Sequence, residues 1–466
     1  MILKSSGDSE ITYAIHFKLR FLRHYCMEKW FTKEFLCTGK MKYVSFGICG
    51  LFVIILIVGL SLALIIDDYN GSDALNNVPL IDGHNDLPYN LYRLLGNNLD
   101  QFDFTKNLSD DKLWGKHVCV SCTTDLPRLK KGKVGAQFWA AYVDCSSQYK
   151  DAVSLTLRQI DVIKRLIRKY PNDLQFVTKA EDITDAWNNK KIASMIGVEG
   201  GHSIDSSLAV LRLYYDLGVR YMTLTHMCNT PWADASTVTT GGINNLTDFG
   251  RAVVYEMNRL GMLVDLSHVS HNVMREVLAI SKAPIIFSHS SVFTLCRNNR
   301  NVPDDVLHTV KRNNGIVMVN FYSEFVNCNT SRKATMRDVI DHINYIRNLI
   351  GPNHIGIGAD YDGVNTMPEG LEDVSKYSEL FDRIYDSGPN WTKDEMEKLA
   401  GKNLIRVLKA AEKVRDEMAE SGHVRQDILA PKEIYQAQIV DHLQSNICYT
   451  SKEWSDFKPN NLNQTV

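Results

Sequence analysis

A histidine and an aspartate two residues apart, His84 and Asp86, follow a short apolar run at 78–81 and form a pair able to hold a metal ion. Extended backbone sends residues i and i+2 to the same side. An imidazole nitrogen and a carboxylate oxygen would therefore converge on one cation, a donor set suited to zinc. Asp82-Gly83 is expected to break the run and turn the chain out of the strand. A single such pair is weak evidence, because polar turns commonly carry both residue types. The arrangement recurs, however: Glu199 follows the run at 192–198, His226 follows 221–224, His268 follows 262–266, His289 follows 284–287 and Asp360 follows 355–359. Four histidines, one glutamate and two aspartates at one rim would be costly unless a metal or a substrate neutralised them. His84 with Asp86 makes one half-site and His268 with His289 another. Each is short of a closed tetrahedral shell, and Glu199 is the natural carboxylate to share. Two zinc ions ~3.5–4 Å apart would polarise a carbonyl and generate a bridging hydroxide near neutral pH. His226, Asp360 and the nearby Arg300 are left for the substrate.

These residues share a rim only if the strands ahead of them are parallel and in register. Runs at 78–81, 174–177, 192–198, 221–224, 262–266, 284–287, 315–321 and 355–359 read as eight strands. Helical patterns lie at about 153–170, 205–216, 246–260, 270–281, 304–313 and 335–350. Strands alternating with helices imply a parallel sheet, and eight of them fit an α/β fold, a (β/α)8 TIM-type barrel with insertions. Barrels of this kind carry their chemistry at the C-terminal ends of the strands, where the residues above fall. Residues 89–150 are loop-rich and yield no assigned element. A last helix is expected from the capping-box pattern Thr392-Lys-Asp-Glu395, and the polar tail after about 420 is expected to wrap the surface.

With 466 residues, 44% of them apolar and 23% charged, the chain has enough apolar material for a sizeable core. A net charge of −2 without a long basic block argues against a nucleic-acid partner. The 23 residues at 44–66 carry no charge, long enough for a membrane span and too long for the core of a cleaved signal peptide. Lysines and arginines precede the span and Asp67-Asp68 follow it, so the expected topology is single-pass type II in the cell membrane, with the catalytic part outside. The expected organisation is a cytosolic tail (1–43), a transmembrane signal anchor (44–66), a stalk (67–77), the barrel (78–420) and a C-terminal tail (421–466). Met41 is an alternative start that leaves this topology unchanged. Glycosylation sequons begin at Asn70, Asn107, Asn245, Asn329, Asn390 and Asn463. Seven cysteines lie beyond the span: Cys119, Cys122, Cys145, Cys228, Cys296, Cys328 and Cys448. The odd count leaves at least one thiol free or paired with another chain. Cys119-Val-Ser-Cys122 has the spacing of half a zinc site, but a local disulfide or two separate bridges fits better without a second CxxC.

Several longer motifs go further. Ile81-Asp-Gly-His-Asn-Asp-Leu-Pro88, Ile196-Gly-Val-Glu-Gly-Gly-His202, Leu224-Thr-His-Met-Cys-Asn-Thr-Pro-Trp-Ala-Asp234, Phe287-Ser-His-Ser-Ser291, Arg300-Asn-Val-Pro-Asp-Asp305 and Gly358-Ala-Asp-Tyr-Asp-Gly363 closely resemble the membrane (renal) dipeptidase family over about residues 79–410. The resemblance implies a dizinc (β/α)8 peptidase that hydrolyses dipeptides and tolerates a D-residue on the C-terminal side. Some members also open β-lactam rings or trim cysteinyl-glycine conjugates. By motif, His84 and Asp86 match the ligands of one zinc, His268 and His289 those of the other, and Glu199 the bridge. His226 matches a histidine beside the scissile carbonyl, Arg300 a substrate-binding arginine, and Asp360 the acid that binds substrate and moves the proton. The resemblance also implies disulfides Cys145–Cys228 and Cys296–Cys328, and an inter-subunit bridge at Cys448 that would make a disulfide-linked homodimer. The sequence departs from the mammalian pattern in two places. Its end at 460–466 is polar where those enzymes carry an apolar tail exchanged for a glycolipid anchor, and the segment with Cys119 and Cys122 is atypical. The alternative class is a metal-binding surface protein of this fold that captures ligands or adheres without turnover. Such a protein is expected to lack one of the eight site residues, and none is missing here. A dinuclear amidohydrolase acting on phosphoesters or cyclic amides would open with His-x-His, unlike His84-Asn-Asp86.

Overall fold

The computed structural model describes residues 69–115, 117–238, 241–388 and 391–422. The expected cytosolic tail and membrane anchor, the tail from 423 with Cys448 and Asn463, and Asn390 lie outside them. Among the described residues no helix is long and apolar enough to cross a membrane.

Among the described residues run nine parallel strands: β1 (Leu80–Asn85), β2 (Val134–Tyr142), β3 (Leu174–Phe176), β4 (Ile192–Glu199), β5 (Val219–Thr223), β6 (Leu263–Asp265), β7 (Ile286–Phe287), β8 (Ile316–Val319) and β9 (Ile355–Ile357). Eight of them close a barrel in the order β1-β2-β4-β5-β6-β7-β8-β9, with β9 returning to β1. The barrel expected from the sequence is therefore present, but one stave differs. The run at 174–177 is not a stave: β3 pairs only with Ile192–Ser194, the N-terminal part of β4, on the edge whose later part β5 takes. The missing stave is β2, within the stretch that yielded no element. Its sequence, Val134-Gly-Ala-Gln-Phe-Trp-Ala-Ala-Tyr142, holds a valine and three aromatic residues that favour strands, but it shows no in–out alternation that would mark it as one. Burial on both faces removes the alternation, because Ala136 and Phe138 pack with one core cluster while Trp139 and Ala141 pack with the other.

A second correction concerns Asp82-Gly83, which lie inside β1, not in a turn. A Cβ at Gly83 would press on the Ser288 carbonyl and the Met318 side chain, so glycine serves close packing across the barrel. Asp82 is buried and accepts hydrogen bonds from the Tyr377 hydroxyl (2.7 Å), Ala359 N–H (2.9 Å) and His84 N–H (3.3 Å). These donors take the place of the water that an exposed turn would offer.

Six helices fall where their periodicity indicated, Ala152–Lys169, Leu208–Asp216, Asp248–Leu260, His271–Ile280, Asp304–Asn313 and Met336–Ile350, while Leu87–Leu95, Ala180–Asn188 and Tyr377–Asp386 were not expected. Ser207, Thr247 and Ser270 cap three of them through their side chains, and the capping box at Thr392 and Glu395 forms as expected. Residues 71–77, assigned from sequence to the stalk, lie against the barrel. Ser72 N–H donates to Asp382 and Asn77 to Glu397. Among the described residues the disulfides are Cys119–Cys122, Cys145–Cys228 and Cys296–Cys328, which settles the open pairing of the CxxC segment as a local bridge. Asn70, Asn107, Asn245 and Asn329 are exposed.

Candidate metal centre

Every candidate residue at the rim is drawn to one place. His84 is on β1 and Asp86 just beyond it; Glu199 ends β4; His226, His268 and His289 follow β5, β6 and β7, and Asp360 follows β9. The carboxylate of Glu199 stands at the middle with its two oxygens divided. Oε2 lies 3.4 Å from His84 Nε2, while Oε1 lies 2.9 Å from His268 Nε2 and 3.5 Å from His289 Nε2. His84 Nε2 is also 3.1 Å from Asp86 Oδ2 and 3.9 Å from Asp360 Oδ1. Three overlapping groups of ligand atoms result: His84, Asp86, Glu199; then Glu199, His268, His289; then His84, His289, Asp360. A fourth group, Cys145, His202 and Cys228, is tied up by the Cys145–Cys228 disulfide.

The imidazoles are oriented from behind. Tyr221 donates its hydroxyl hydrogen to the Gly83 carbonyl (3.1 Å) and so accepts from His84 Nδ1 (2.9 Å). That fixes the Nδ1–H tautomer and turns the Nε2 lone pair toward Glu199. Gly197 makes room for the phenol, since a Cβ there would collide with the Tyr221 ring. His289 Nδ1 is held by Ser288 Oγ at 2.7 Å, again leaving Nε2 for the centre. His268 and Asp360 adopt left-handed backbone, φ 71° and 68°, the kind of local strain that clusters at functional sites.

The donor set fits two divalent cations sharing Glu199. Three buried carboxylates (Asp86, Glu199, Asp360) face one guanidinium, Arg300. Asp86 Oδ1 is buried without a hydrogen-bond partner. Burial pushes the Asp86 carboxyl up to about 7 against the pull of His84, so its anionic form needs a cation beside it. Burial works against the charge of Glu199 too, but a protonated His84 and imidazole N–H donors hold it well below the carboxylate range, a role that a cation takes over when the Nε2 lone pairs turn to it.

The remaining residues suit a substrate. Burial pulls His226 down to about 4, so the imidazole is neutral near pH 7. Its Nε2 sits 3.8 Å from Glu199 Oε1 and its ring packs edge-on against Tyr142, the last residue of β2. Arg300 is buried, donates to Ser290 Oγ (3.4 Å) and the His289 carbonyl (3.3 Å), and keeps its Nε without a partner. Burial lowers it to about 10, which leaves it cationic. Neither neighbouring aspartate claims it: Asp304 accepts from Thr294 and Tyr345, and Asp305 pairs with Arg275. An open pocket lined by Ser236, Thr237, Arg297, Asn298, Asn299 and Arg300 lies beside it.

Sequence reasoning missed Tyr221, Ser288 and Asn320. Asn320 follows β8 directly and donates to Asp360 Oδ2 at 2.8 Å, but the run read as 315–321 encloses it within the strand. Tyr221 gave no signal, because a tyrosine within a stave reads as core.

A parallel eight-stave barrel with a carboxylate-bridged cluster of imidazoles at its C-terminal rim defines a metal-dependent hydrolase. Residues 71–422 match the family model of membrane dipeptidase (peptidase family M19). The chain belongs to the membrane dipeptidase family and is a hydrolase of dipeptides. It is 46% identical over 349 residues to an uncharacterized dipeptidase of Schizosaccharomyces pombe, covering 72% of this chain and 81% of that one. It is 42% identical over 380 residues to Dipeptidase 3 of Mus musculus, covering 81% and 71%. Among solved structures it is similar to a metallopeptidase described as dipeptidase AC, with TM-score 0.63, 25% identity, and coverage of 72% and 98%.

Proposed function

We propose that the chain is a zinc dipeptidase with two ions per chain, cleaving an L-residue from a C-terminal residue of L or D configuration. The observation that carries this reading is the divided carboxylate of Glu199, one oxygen toward His84 and the other toward His268 and His289. His84 and Asp86 would hold one ion, His268 and His289 the other, and Glu199 both. Bound there, zinc would supply Lewis acidity toward the peptide carbonyl and toward the attacking water. The chain's own residues do the rest. Arg300 pairs with the free C-terminal carboxylate, which limits the substrate to dipeptides. His226, neutral in its buried setting, donates an N–H to the carbonyl oxygen as negative charge develops on it. Asp360, steadied by Asn320, takes up a proton and hands it to the leaving amine.

The same reading places the barrel outside the cell on a type II anchor at 44–66, glycosylated at the exposed sequons and joined to a second copy through Cys448. The test is hydrolysis of a simple dipeptide before and after chelation, with zinc restored afterwards. Activity that is lost and regained supports the reading. A chain that binds zinc without turnover would instead be the silent surface protein.

A further inference from the structure

We infer that Asp362 is a positioning residue for Asp360, and that Thr123 and Thr124 are the clasp that holds it; the inference rests on the dipeptidase reading above. The turn after β9 has two non-glycine residues in left-handed backbone, Asp360 (φ 68°) and Asp362 (φ 67°). Such residues are strained and persist only where their surroundings over-determine them. What holds this turn is visible at Asp362, which is buried and has no ion-pair partner among the described residues. Its Oδ2 accepts from Thr123 N–H (3.1 Å), Thr123 Oγ1 (3.1 Å) and Thr124 Oγ1. Asn90 donates to its Oδ1 (3.2 Å) and to its carbonyl (2.9 Å). Four donors fill the lone-pair sites of this buried carboxylate, and all come from outside the turn.

The clasp also reaches the metal side of the rim. Thr124 Oγ1 accepts from Asn85 (2.9 Å), the residue between His84 and Asp86, and Asp86 N–H donates to the Tyr361 carbonyl (3.0 Å). Glycine is required at 363 because a Cβ there would press on the carboxylates of both Asp86 and Asp360. The segment that supplies the threonines leaves the Cys119–Cys122 bridge one residue earlier, and Arg93 ties it back by donating to Asn90 (3.1 Å) and Cys119 Sγ (3.5 Å). The atypical CxxC segment thus presents two hydroxyls to the turn that carries the proton-moving carboxylate.

Thr124→Val removes one hydroxyl at nearly constant volume, and Thr124→Ser keeps it. The valine variant is expected to lose about tenfold or more in kcat, a part of what a misplaced acid–base group costs. Metal per chain and the preference for a free C-terminal carboxylate should stay those of the parent, and serine should restore kcat. A valine variant that melts lower but keeps the parent's kcat, or a loss that serine does not repair, overturns the inference. Should the parent itself cleave no dipeptide, the proposed function fails and a crystal structure of Thr124→Val decides this point alone. Asp360 Oδ1, 3.9 Å from His84 Nε2 in the parent, is expected to move away from the rim, and an unmoved carboxylate overturns the proposal.

Discussion

At the scale of single residues, the division of labour is set by which polar atoms are satisfied and which are not. His84 has its Nδ1 engaged by Tyr221 and its Nε2 turned toward two carboxylates. Tyr221→Phe should therefore leave the barrel folded while weakening metal binding about 10–100-fold, the usual effect of deleting a partner behind a ligand. Competition against a graded series of chelators measures this, and unchanged affinity would show that the phenol only fills space. Arg300 is the converse case, a buried guanidinium whose neighbours leave Nε without a partner. Amidating a dipeptide's C-terminus should cost the parent roughly 2–5 kcal/mol in kcat/KM, the range for truncating a buried charged pair. Arg300→Met should be poor on the free acid and nearly indifferent to amidation. A variant that keeps the parent's acid-to-amide preference would reduce Arg300 to a loop-holding residue stacked on Phe325.

At the scale of elements, six long helices and six of the eight barrel staves were legible because each carries apolar residues with the right period, whereas the helices Leu87–Leu95, Ala180–Asn188 and Tyr377–Asp386 were not placed. β1 was found but cut short, and β2 was missed; the reasons are local. Gly83 looks like a turn and is in fact a close-packing position, and β2 is buried on both faces, so its strand-favouring residues show no alternation to read. The metal ligands could be read without β2 because they sit on other strands, whereas the wall that Tyr142 builds beside His226 could not. Elements beyond the rim also depend on single side chains. His342, on the helix Met336–Ile350, accepts from Val292 N–H (2.9 Å) through Nδ1 and donates to the Val326 carbonyl (3.1 Å) through Nε2. Burial pulls its pKa down from 6.5 to about 4. The folded state thus binds this proton less readily than the unfolded chain, so the contribution is intact above pH 6.5 and is lost as pH falls through the window from 6.5 to 4. The loss should reach about 3 kcal/mol at the acid end. Denaturant melts of parent and His342→Gln across that window check it, and parallel curves would refute the assignment.

At the scale of the whole molecule, ligands separated by some two hundred residues meet only because the barrel closes, with β9 against β1 and β2 against β4. The site was legible in sequence for the same reason: the rule that chemistry lies after each stave converts scattered residues into one rim. Topology in the membrane and assembly rest on segments outside the described residues and belong to the proposal. A protease cut ahead of Gly71, where packing on the barrel begins, should release active enzyme from membranes, and release by a phospholipase would contradict the type II anchor. On non-reducing gels the covalent dimer should vanish in Cys448→Ser.

The central claim is that Glu199 joins two metal ions into one hydrolytic centre, and metal content tests it most directly. Zinc per chain, measured beside dipeptide hydrolysis in parent and Glu199→Gln, is expected to be two in an active parent. It should fall clearly below two in an inactive variant, since a neutral amide bridges two cations poorly. A fully loaded but inactive Glu199→Gln, or an active parent holding a single ion, would contradict the account.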